Sequence, residues 1–587
     1  MIRIMNKGRI TGFFLGAISF LLIFSCHSVK DNSIAKYEKS INNTEERPNI
    51  LWLVTEDMGP YIPPFGDSTI VTPNLSRLAR EGVVYPNLYS TSGVCAPSRA
   101  AIATGMYPTS IGGNHMRVNS YMKETGLKAY EAVPPADVRM ISELLRASGY
   151  YCTNNYKEDY QFIAPETAWD ESSQYAHWRN RAKGQPFYAV FNFTNTHESG
   201  LFEPYGFRNI ETRHYHAGDT TYTWKSGNMS EKETPSHLPK DTKFNIPPYL
   251  PDTEVVRRDM WKTYNNIAEM DKQVGAVLKQ LEDDGLLENT IIFFYGDHGG
   301  PLPRQKRLIY DSGLNTPLII RFPKKENAAT KDHQLISFID FAPTLLSLIG
   351  EKPKEYMQGQ AFLGKYKAKS QRKYIHAAAD RFDEVTDAIR AVRDEQFKYI
   401  RNYFPEKGYY LPLSYREQIP TMQQMLQFNK EGKLNDIQKQ WFRDSKPAEE
   451  LFDCKADPHE LVNLAANPKY ASKLQELRTE MNRWLEEIHD DPKLPEAALI
   501  RKLWNGKENQ PQTAKPIISY NQGKLGISCE TAGASIGYKI KNKNGSWPKS
   551  WTIYQKPVTL PQATQLAVVA HRIGFKSSKP IELNGLK

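Results

Sequence analysis

Residues 48–54, from Pro48 through Asn49, Ile50, Leu51, Trp52 and Leu53 to Val54, form a largely apolar run that stops at Thr55, Glu56 and Asp57. A run of that length suits a central parallel strand buried on both faces. Acids at its carboxyl end lie where α/β sheets bind their ligands. The pattern returns at Thr290–Tyr295, which leads into Gly296, Asp297, His298 and Gly299, and a third apolar run covers Leu318–Phe322. Between these runs the spacing predicts helices. Thr72-Pro73-Asn74 reads as the cap of a helix over Leu75–Glu81 with Gly82 as its stop. Met260, Tyr264, Ile267, Met270, Val274, Val277 and Leu281 share one face of a long helix within Asp252–Leu287, and Ser337–Leu348 is again helical. Strands alternating with helices predict an α/β sandwich with a mainly parallel sheet.

The character changes twice afterwards. Residues 371–505 carry short strands at Ala388–Val392 and Lys398–Arg401, then helices at Asp436–Trp441 and Tyr470–His489, and read as a smaller α+β subdomain. Residues 511–587 hold short alternating runs between turn residues and read as a small β-sandwich. The expected division is a leader over 1–25, a polar tether over 26–47, a catalytic domain over 48–370, the α+β subdomain over 371–505 and the accessory β module over 511–587.

With 587 residues, 40% of them hydrophobic, the chain is too long for a peptide module and too apolar for wholesale disorder. The net charge of +10 comes from 76 basic and 66 acidic residues with no long Lys/Arg block, which argues against nucleic-acid binding and tolerates an anionic substrate. Arg3, Lys7 and Arg9 precede the apolar stretch Thr11–Phe24 and then Ser25-Cys26: a basic start and an apolar segment too short to span a bilayer. Cys26 after Ile23-Phe24-Ser25 resembles the lipobox of bacterial lipoproteins, and an ordinary cleaved signal is the alternative. Both predict export, and the first predicts lipidation of Cys26 and membrane attachment in the periplasm or on the outer membrane of a Gram-negative bacterium. The spacings of Cys26, Cys95, Cys152, Cys454 and Cys529 suggest no disulfide framework.

The densest chemistry lies at Cys95-Ala96-Pro97-Ser98-Arg99, continuing to Thr104-Gly105. Residue types alone allow two readings: a buried structural Cys at a helix start, or a thiol whose pKa is lowered by the helix N-terminus and Arg99. The pattern Cys-x-Pro-Ser-Arg-x-x-x-x-Thr-Gly resembles the signature of type I sulfatases, on the alkaline-phosphatase-like fold. That family oxidises the Cys to formylglycine with a dedicated sulfatase-maturating (formylglycine-generating) enzyme and uses the hydrated aldehyde as nucleophile. The resemblance spans about Pro48 to Pro492 and is nearest to N-sulfoglucosamine sulfohydrolases, the sulfamidases of heparan sulfate degradation. Pro301-Leu302-Pro303, Glu384-Val385-Thr386 and Asp457-Pro458-His459-Glu460 are among the shared stretches.

The resemblance implies a Ca²⁺ ion held by Glu56, Asp57, Asp297, His298 and the modified Cys95. Glu56 stands where the family has Asp, and His298 offers nitrogen to a cation that prefers oxygen. It implies a cationic clamp on the sulfate from Arg99, Lys157 and Lys306, and a general acid at His197, whose ordinary pKa near 6.5 suits that task. At Asn155-Tyr156-Lys157-Glu158-Asp159 the family's Gly-Lys-x-His is altered, so Asp159 stands in for the His that handles the diol proton. Arg304 and Arg307 read as a solvated face; Asp383 and Arg381 are weaker candidates for the sugar pocket, with a strand-edge ion pair as the alternative. Glu384, His115 and Arg117 are implied substrate contacts.

The expected substrate is a sulfated mono- or oligosaccharide of glycosaminoglycan type, with N-sulfoglucosamine among the possibilities. The alternatives are an O-sulfatase on another sugar, a phosphohydrolase or phosphonate hydrolase of the same superfamily, and a non-catalytic glycan-binding lipoprotein. In the accessory module, Trp547, Trp551 and Tyr554 fit sugar stacking or the module's own core, and the core is the expectation.

Overall fold

The computed structural model describes residues 47–118, 123–206 and 234–586. The leader, Cys26 and the tether up to residue 46 lie outside them. A nine-stranded sheet is built from β1 (Asn49–Thr55), β2 (Val83–Tyr89), β3 (Tyr151–Asn155), β4 (Glu171–Ser172), β5 (Phe187–Phe193), β6 (Thr290–Gly296), β7 (Asn315–Arg321), β8 (Thr330–Lys331) and β9 (Ile336–Ser337). Its order is β4-β3-β5-β1-β6-β7-β2-β8, with β9 also pairing β2. Most pairs are parallel, but β7 runs antiparallel to both β6 and β2.

All seven residues of β1, β5 and β6 are buried. Side chains alternate across a strand, so Ile50, Trp52 and Val54 enter one core with Ala100, Phe341 and Leu345. Leu51 and Leu53 enter the other with Ile267, Met270 and Val274 of the helix Glu254–Asp283. The register decides where function can lie. Thr55 pairs with Phe193 on one side and with Gly296 on the other, so three parallel strands end level. Glu56-Asp57, Thr196-His197-Glu198 and Asp297-His298 therefore leave the sheet at one edge.

The helix Pro73–Arg80 forms as expected, but the Thr72 side chain makes no capping bond. The Asp271 carboxylate, nearly two hundred residues away, accepts the backbone N–H groups of Asn74 and Leu75. A tertiary cap replaces the local one. Elsewhere on the long helix, burial pushes the Asp259 carboxyl up to about 6, although it accepts the Thr421 N–H and hydroxyl at 2.8 and 2.7 Å. The folded pKa lies above the ordinary value near 3.9, so folding favours the proton. Any stability tied to this group is present in acid and lost as pH rises through about 6. Asp259→Asn keeps an acceptor for Thr421, and denaturant melts at pH 8 should show it about 1–3 kcal/mol more stable, with the gain vanishing near pH 4.

A four-stranded antiparallel sheet follows: Ile375–Ala379, Ile389–Arg393, Phe397–Asn402 and Glu449–Asp453, in sequential order. The helix Ala471–Glu487 packs on it, placing Trp484 beside His376. Residues 517–583 form two small sheets, around Lys524–Ser528 and around the pair Ser535–Ile540 and Leu566–His571. This module is docked on the large sheet's domain. Arg572 donates to Pro134 O, and His571 and Ser577 reach Glu166.

Candidate active site

Asp57 is the hub of the common edge. Its backbone is left-handed at φ 47°, a conformation that costs a non-glycine residue about 1 kcal/mol or more. Its N–H donates to Asp297 Oδ1 at 3.1 Å, and its Oδ2 accepts the Glu198 N–H at 2.7 Å. Lys306 Nζ contacts both its oxygens, at 2.9 and 2.7 Å. Burial alone would push the Asp57 carboxyl up; Lys306, His197 and His298 outweigh it and hold it well below the usual range. His298 is wholly buried, with Nε2 2.9 Å from Asp57 Oδ1 and 3.8 Å from Asp297 Oδ1. Neither of its ring nitrogens makes a hydrogen bond.

The helix Cys95–Thr104 is buried along its whole length and delivers Cys95 to this edge. Ser98 holds it there by donating to Asp297 O. Arg99 Nε donates to Asp297 Oδ2 at 3.0 Å, Nη1 to Asn192 Oδ1 at 2.7 Å, and Nη2 lies 3.5 Å from Glu56 Oε1. Arg99 thus grips the acids of the site. Lys157 also pairs with Glu56, and its Nζ lies 3.5 Å from Asp159 Oδ2. Asp159 accepts a hydrogen bond from the Cys95 side chain. Burial opposes ionisation of Asp159, but Lys157 and the Cys95 bond hold its pKa below the usual carboxylate range. Of the two readings open for the unmodified Cys95, the geometry favours the buried one: burial and then the Asp159 charge push the thiol up. The helix N-terminus is outweighed, and the unmodified side chain is no thiolate at neutral pH.

On the far side, Lys306 Nζ also lies 3.3 Å from His197 Nε2 and 3.0 Å from Glu198 Oε1. Burial, then the Lys306 ammonium, push the His197 imidazole well below its ordinary value. His197 is therefore neutral here, in contrast to the unperturbed value expected. Arg304 and Arg307 do not form a solvated face; both are buried. Arg304 donates to His459 O and Glu460 O, each at 2.9 Å. Arg307 makes a two-pronged bond to Glu198 at 2.7 and 2.8 Å and donates to Asp383 at 3.0 Å. Asp383 and Arg381 do not pair with each other through their side-chain charges. Arg381 pairs with Glu496, while Asp383 bridges Arg307 and Arg117. Glu198 is the residue that sequence reasoning missed, and the buried link it makes through Arg307 to Asp383 is not visible in the sequence. The one available signal was that Glu198 directly follows His197.

The three implied substrate contacts separate. The Arg117 side chain, 43% exposed, lies over the Tyr415 ring at 5.0 Å, and that ring meets His197 edge-on at 6.3 Å. Arg117 and Tyr415 therefore form the rim beside His197. His115 turns the other way, toward Arg381 N–H and Glu496. It lines, with Glu384, Asp380 and Arg390, a cleft of about 530 Å³. Glu384 also accepts the Ser414 N–H at 2.5 Å.

A hard divalent cation fits the hub. Asp57, Asp297 and His298 offer ligand atoms within 4.8 Å of one another, and all three are buried. The ring nitrogens of His298, buried without a hydrogen-bond partner, face the carboxylates of Asp57 and Asp297. Asp57 also forms a second group with His197 and Glu198. A third, Asp311, Cys454 and Glu460, already contains the Lys398 ammonium between its two acids and needs no ion.

The sulfatase family model matches residues 48–351. A relative from Formosa agariphila named ulvan-active sulfatase is 69% identical over 579 residues, covering 97% of each chain. The chain belongs to the sulfatase family. It is a sulfuric ester hydrolase on the alkaline-phosphatase-like sulfatase fold. A second family model, N-sulphoglucosamine sulphohydrolase, C-terminal, matches residues 304–440. The human N-sulphoglucosamine sulphohydrolase is 25% identical, covering 75% of this chain and 90% of the relative. A solved structure of a protein in complex with its substrate D-glucosamine-2-N,6-O-disulfate shares the fold, with TM-score 0.51 and 20% identity over 76% of this chain and 99% of that one.

Asp159, expected to stand in for a His, acts on Cys95, and that contact defines a test. Asp159→His is expected to keep activity within about tenfold of the parent and to raise the acidic limb of the pH–rate profile toward neutrality. A carboxylate held below its usual pKa accepts a proton across the whole neutral range, whereas an imidazole does so only above its own pKa. A loss of hundredfold or more with an unmoved profile would assign Asp159 another role.

Proposed function

We propose that this sulfatase removes sulfate from a sulfated polysaccharide of the ulvan type, acting through a formylglycine made from Cys95. The observation that carries the reading is Cys95 at the buried first turn of its helix, against Asp159, on the edge where Asp57, Asp297 and His298 gather. The 69% identity to an ulvan-active sulfatase supports the substrate class. The second reading, N-sulfoglucosamine, is supported by the family model over residues 304–440.

In this mechanism position 95, once converted, would supply a hydrated aldehyde as the nucleophile toward sulfur. Glu56, Asp57, Asp297 and His298, together with position 95, would hold a Ca²⁺ ion, which would supply polarisation of a sulfate oxygen. The remaining work falls to the chain's own side chains. Lys157 and Lys306 flank position 95 and meet the anionic sulfate. Asp159 accepts the proton at position 95. Lys306 and His197, 3.3 Å apart, form the unit that delivers a proton to the leaving oxygen. Glu198 and Arg307 fix Lys306 from behind, and Arg99 fixes Asp297. Arg117 and Tyr415 contact the sugar beyond His197, and Glu384 and His115 line the neighbouring cleft.

Export with lipidation at Cys26 and conversion of Cys95 by a maturating enzyme complete the proposal. They are supported by the basic and apolar leader and by the Cys95–Gly105 motif. The test is sulfate release from ulvan oligosaccharides, N-sulfoglucosamine, 6-O-sulfated N-acetylglucosamine and sulfated galactose, using protein whose Cys95 peptide has been weighed. Release from the ulvan oligosaccharides supports the proposal. Release from N-sulfoglucosamine alone replaces it with the second reading, and silence from fully converted protein overturns both.

A further inference from the structure

The charge of this protein is concentrated in one place. Residues 511–587 contain eleven Lys and Arg against two acids, Glu530 and Glu582, a net +9. The chain as a whole carries +10, so the other 510 residues are balanced to within one charge. Between Thr531 and Ile581 there is no acid at all. A fold has no need of such a bias, because self-repulsion within a small module works against compaction.

The module's hairpin joins Ser535–Ile540 to Thr552–Ile553, with residues 541–551 as its loop. Lys539 Nζ lies 4.7 Å from the centre of the Trp551 ring and Lys541 Nζ 5.4 Å from that of Trp547. Lys539 also donates to Lys549 O, while the Lys543 and Lys549 side chains are exposed. The module's hydrophobic core is built from Leu525, Ile527, Leu566, Val568 and Leu586 with Tyr538 and Tyr554 packed against it. Trp547 and Trp551 stand outside that cluster and are only half-buried. Of the three aromatics expected in the core, Tyr554 alone is there.

We propose that this hairpin is a second binding site, separate from the catalytic one, for a polyanionic sulfated polysaccharide. A sulfate or carboxylate drawn to Lys539 or Lys541 is brought within contact of an indole, and a sugar ring is the ligand that carries both an anionic substituent and an apolar face. An anionic lipid headgroup would satisfy the lysines but leave the two indoles without a ring to stack on. Gln555 donates to Ala147 O and Arg146 to Trp551 O, just before β3 begins. The hairpin is thus anchored toward the amino ends of the strands, away from the edge that holds Cys95. It holds a long chain to the enzyme and leaves hydrolysis of a small sulfated sugar untouched. Its ligand class rests on the polysaccharide reading above, but its binding does not require turnover.

The full-length protein would be tested for retention on immobilised dextran sulfate and on unsulfated dextran across a salt gradient. Lys541→Gln/Lys543→Gln/Lys549→Gln should weaken dextran sulfate binding on the order of tenfold, with a shallower salt dependence. Trp547→Ala should weaken it with the salt dependence kept. Both variants should release sulfate from a small sulfated sugar at the parental rate, so the result is read independently of the catalytic assignment. An equal loss from Lys515→Gln/Lys524→Gln/Lys579→Gln would show diffuse charge and overturn the hairpin site. So would unchanged retention of the hairpin variants, or tighter binding to equimolar phosphatidylcholine and phosphatidylserine vesicles than to dextran sulfate.

Discussion

Cys95→Ala should lose sulfate release by about 10⁴-fold or more while melting within about 1 kcal/mol of the parent. The two halves of that expectation come from the same surroundings. Truncation to alanine removes only the buried sulfur and leaves a void of one atom, and the helix Cys95–Thr104 keeps its anchors through Ser98 and Arg99. The chemistry has no substitute. The thiol itself is pushed up by burial and by Asp159, so unconverted Cys95 supplies almost no thiolate at neutral pH. Activity across preparations should therefore rise in proportion to the fraction of Cys95 peptide that weighs as formylglycine and extrapolate to zero at none. Cys95→Ala protein that kept a hundredth of the parental rate would end the formylglycine mechanism for this chain.

How much of this was legible beforehand follows the distance over which each feature is encoded. The apolar runs of β1 and β6 and the acids after them are local, and the register that levels their ends follows from parallel pairing. Cys95, Lys157, Lys306 and His197 were found because a motif names them, and they do converge. What stayed hidden is held by long-range pairing. Arg307 looks like one cation among several until Glu198, 109 residues away, and Asp383, 76 residues on, fold against it. The cap of Pro73–Arg80 comes from Asp271, while Thr72 in the expected place does nothing. His115 and Arg117, two residues apart and both expected at the substrate pocket, separate. The left-handed backbone at Arg117, φ 59°, turns it to the rim while His115 lines the separate cleft. The direction of β7 was invisible for another reason: an apolar strand buried on both faces reads the same in either orientation.

The second large effect is expected at Asp57, and it separates two roles that activity alone would merge. Asp57→Asn keeps the side-chain shape but removes the charge that both Lys306 and a divalent cation need; kcat/KM should fall by about 10³-fold or more. Chelator-stripped parent protein should gain a few degrees in Tm when Ca²⁺ is restored, since a ligand at about a hundredfold its Kd stabilises by about 2.7 kcal/mol. Asp57→Asn should lose that gain. Lys306→Gln should behave differently. Its ammonium now contacts both Asp57 oxygens, so it competes with a cation for the same carboxylate. Removing it costs activity, through the lost sulfate and His197 contacts, but leaves Asp57, Asp297 and His298 to the ion, so the Ca²⁺ gain in Tm should persist or grow. An Asp57→Asn protein that still gained stability from Ca²⁺ would move the ion away from this hub. A Lys306→Gln protein that lost the gain would make the ammonium part of the cation site and not its competitor. Glu198 decides which arrangement the parent adopts. It lies 3.0 Å from Lys306 and is itself held by Arg307, so it offers the ammonium a second partner whenever Asp57 is taken.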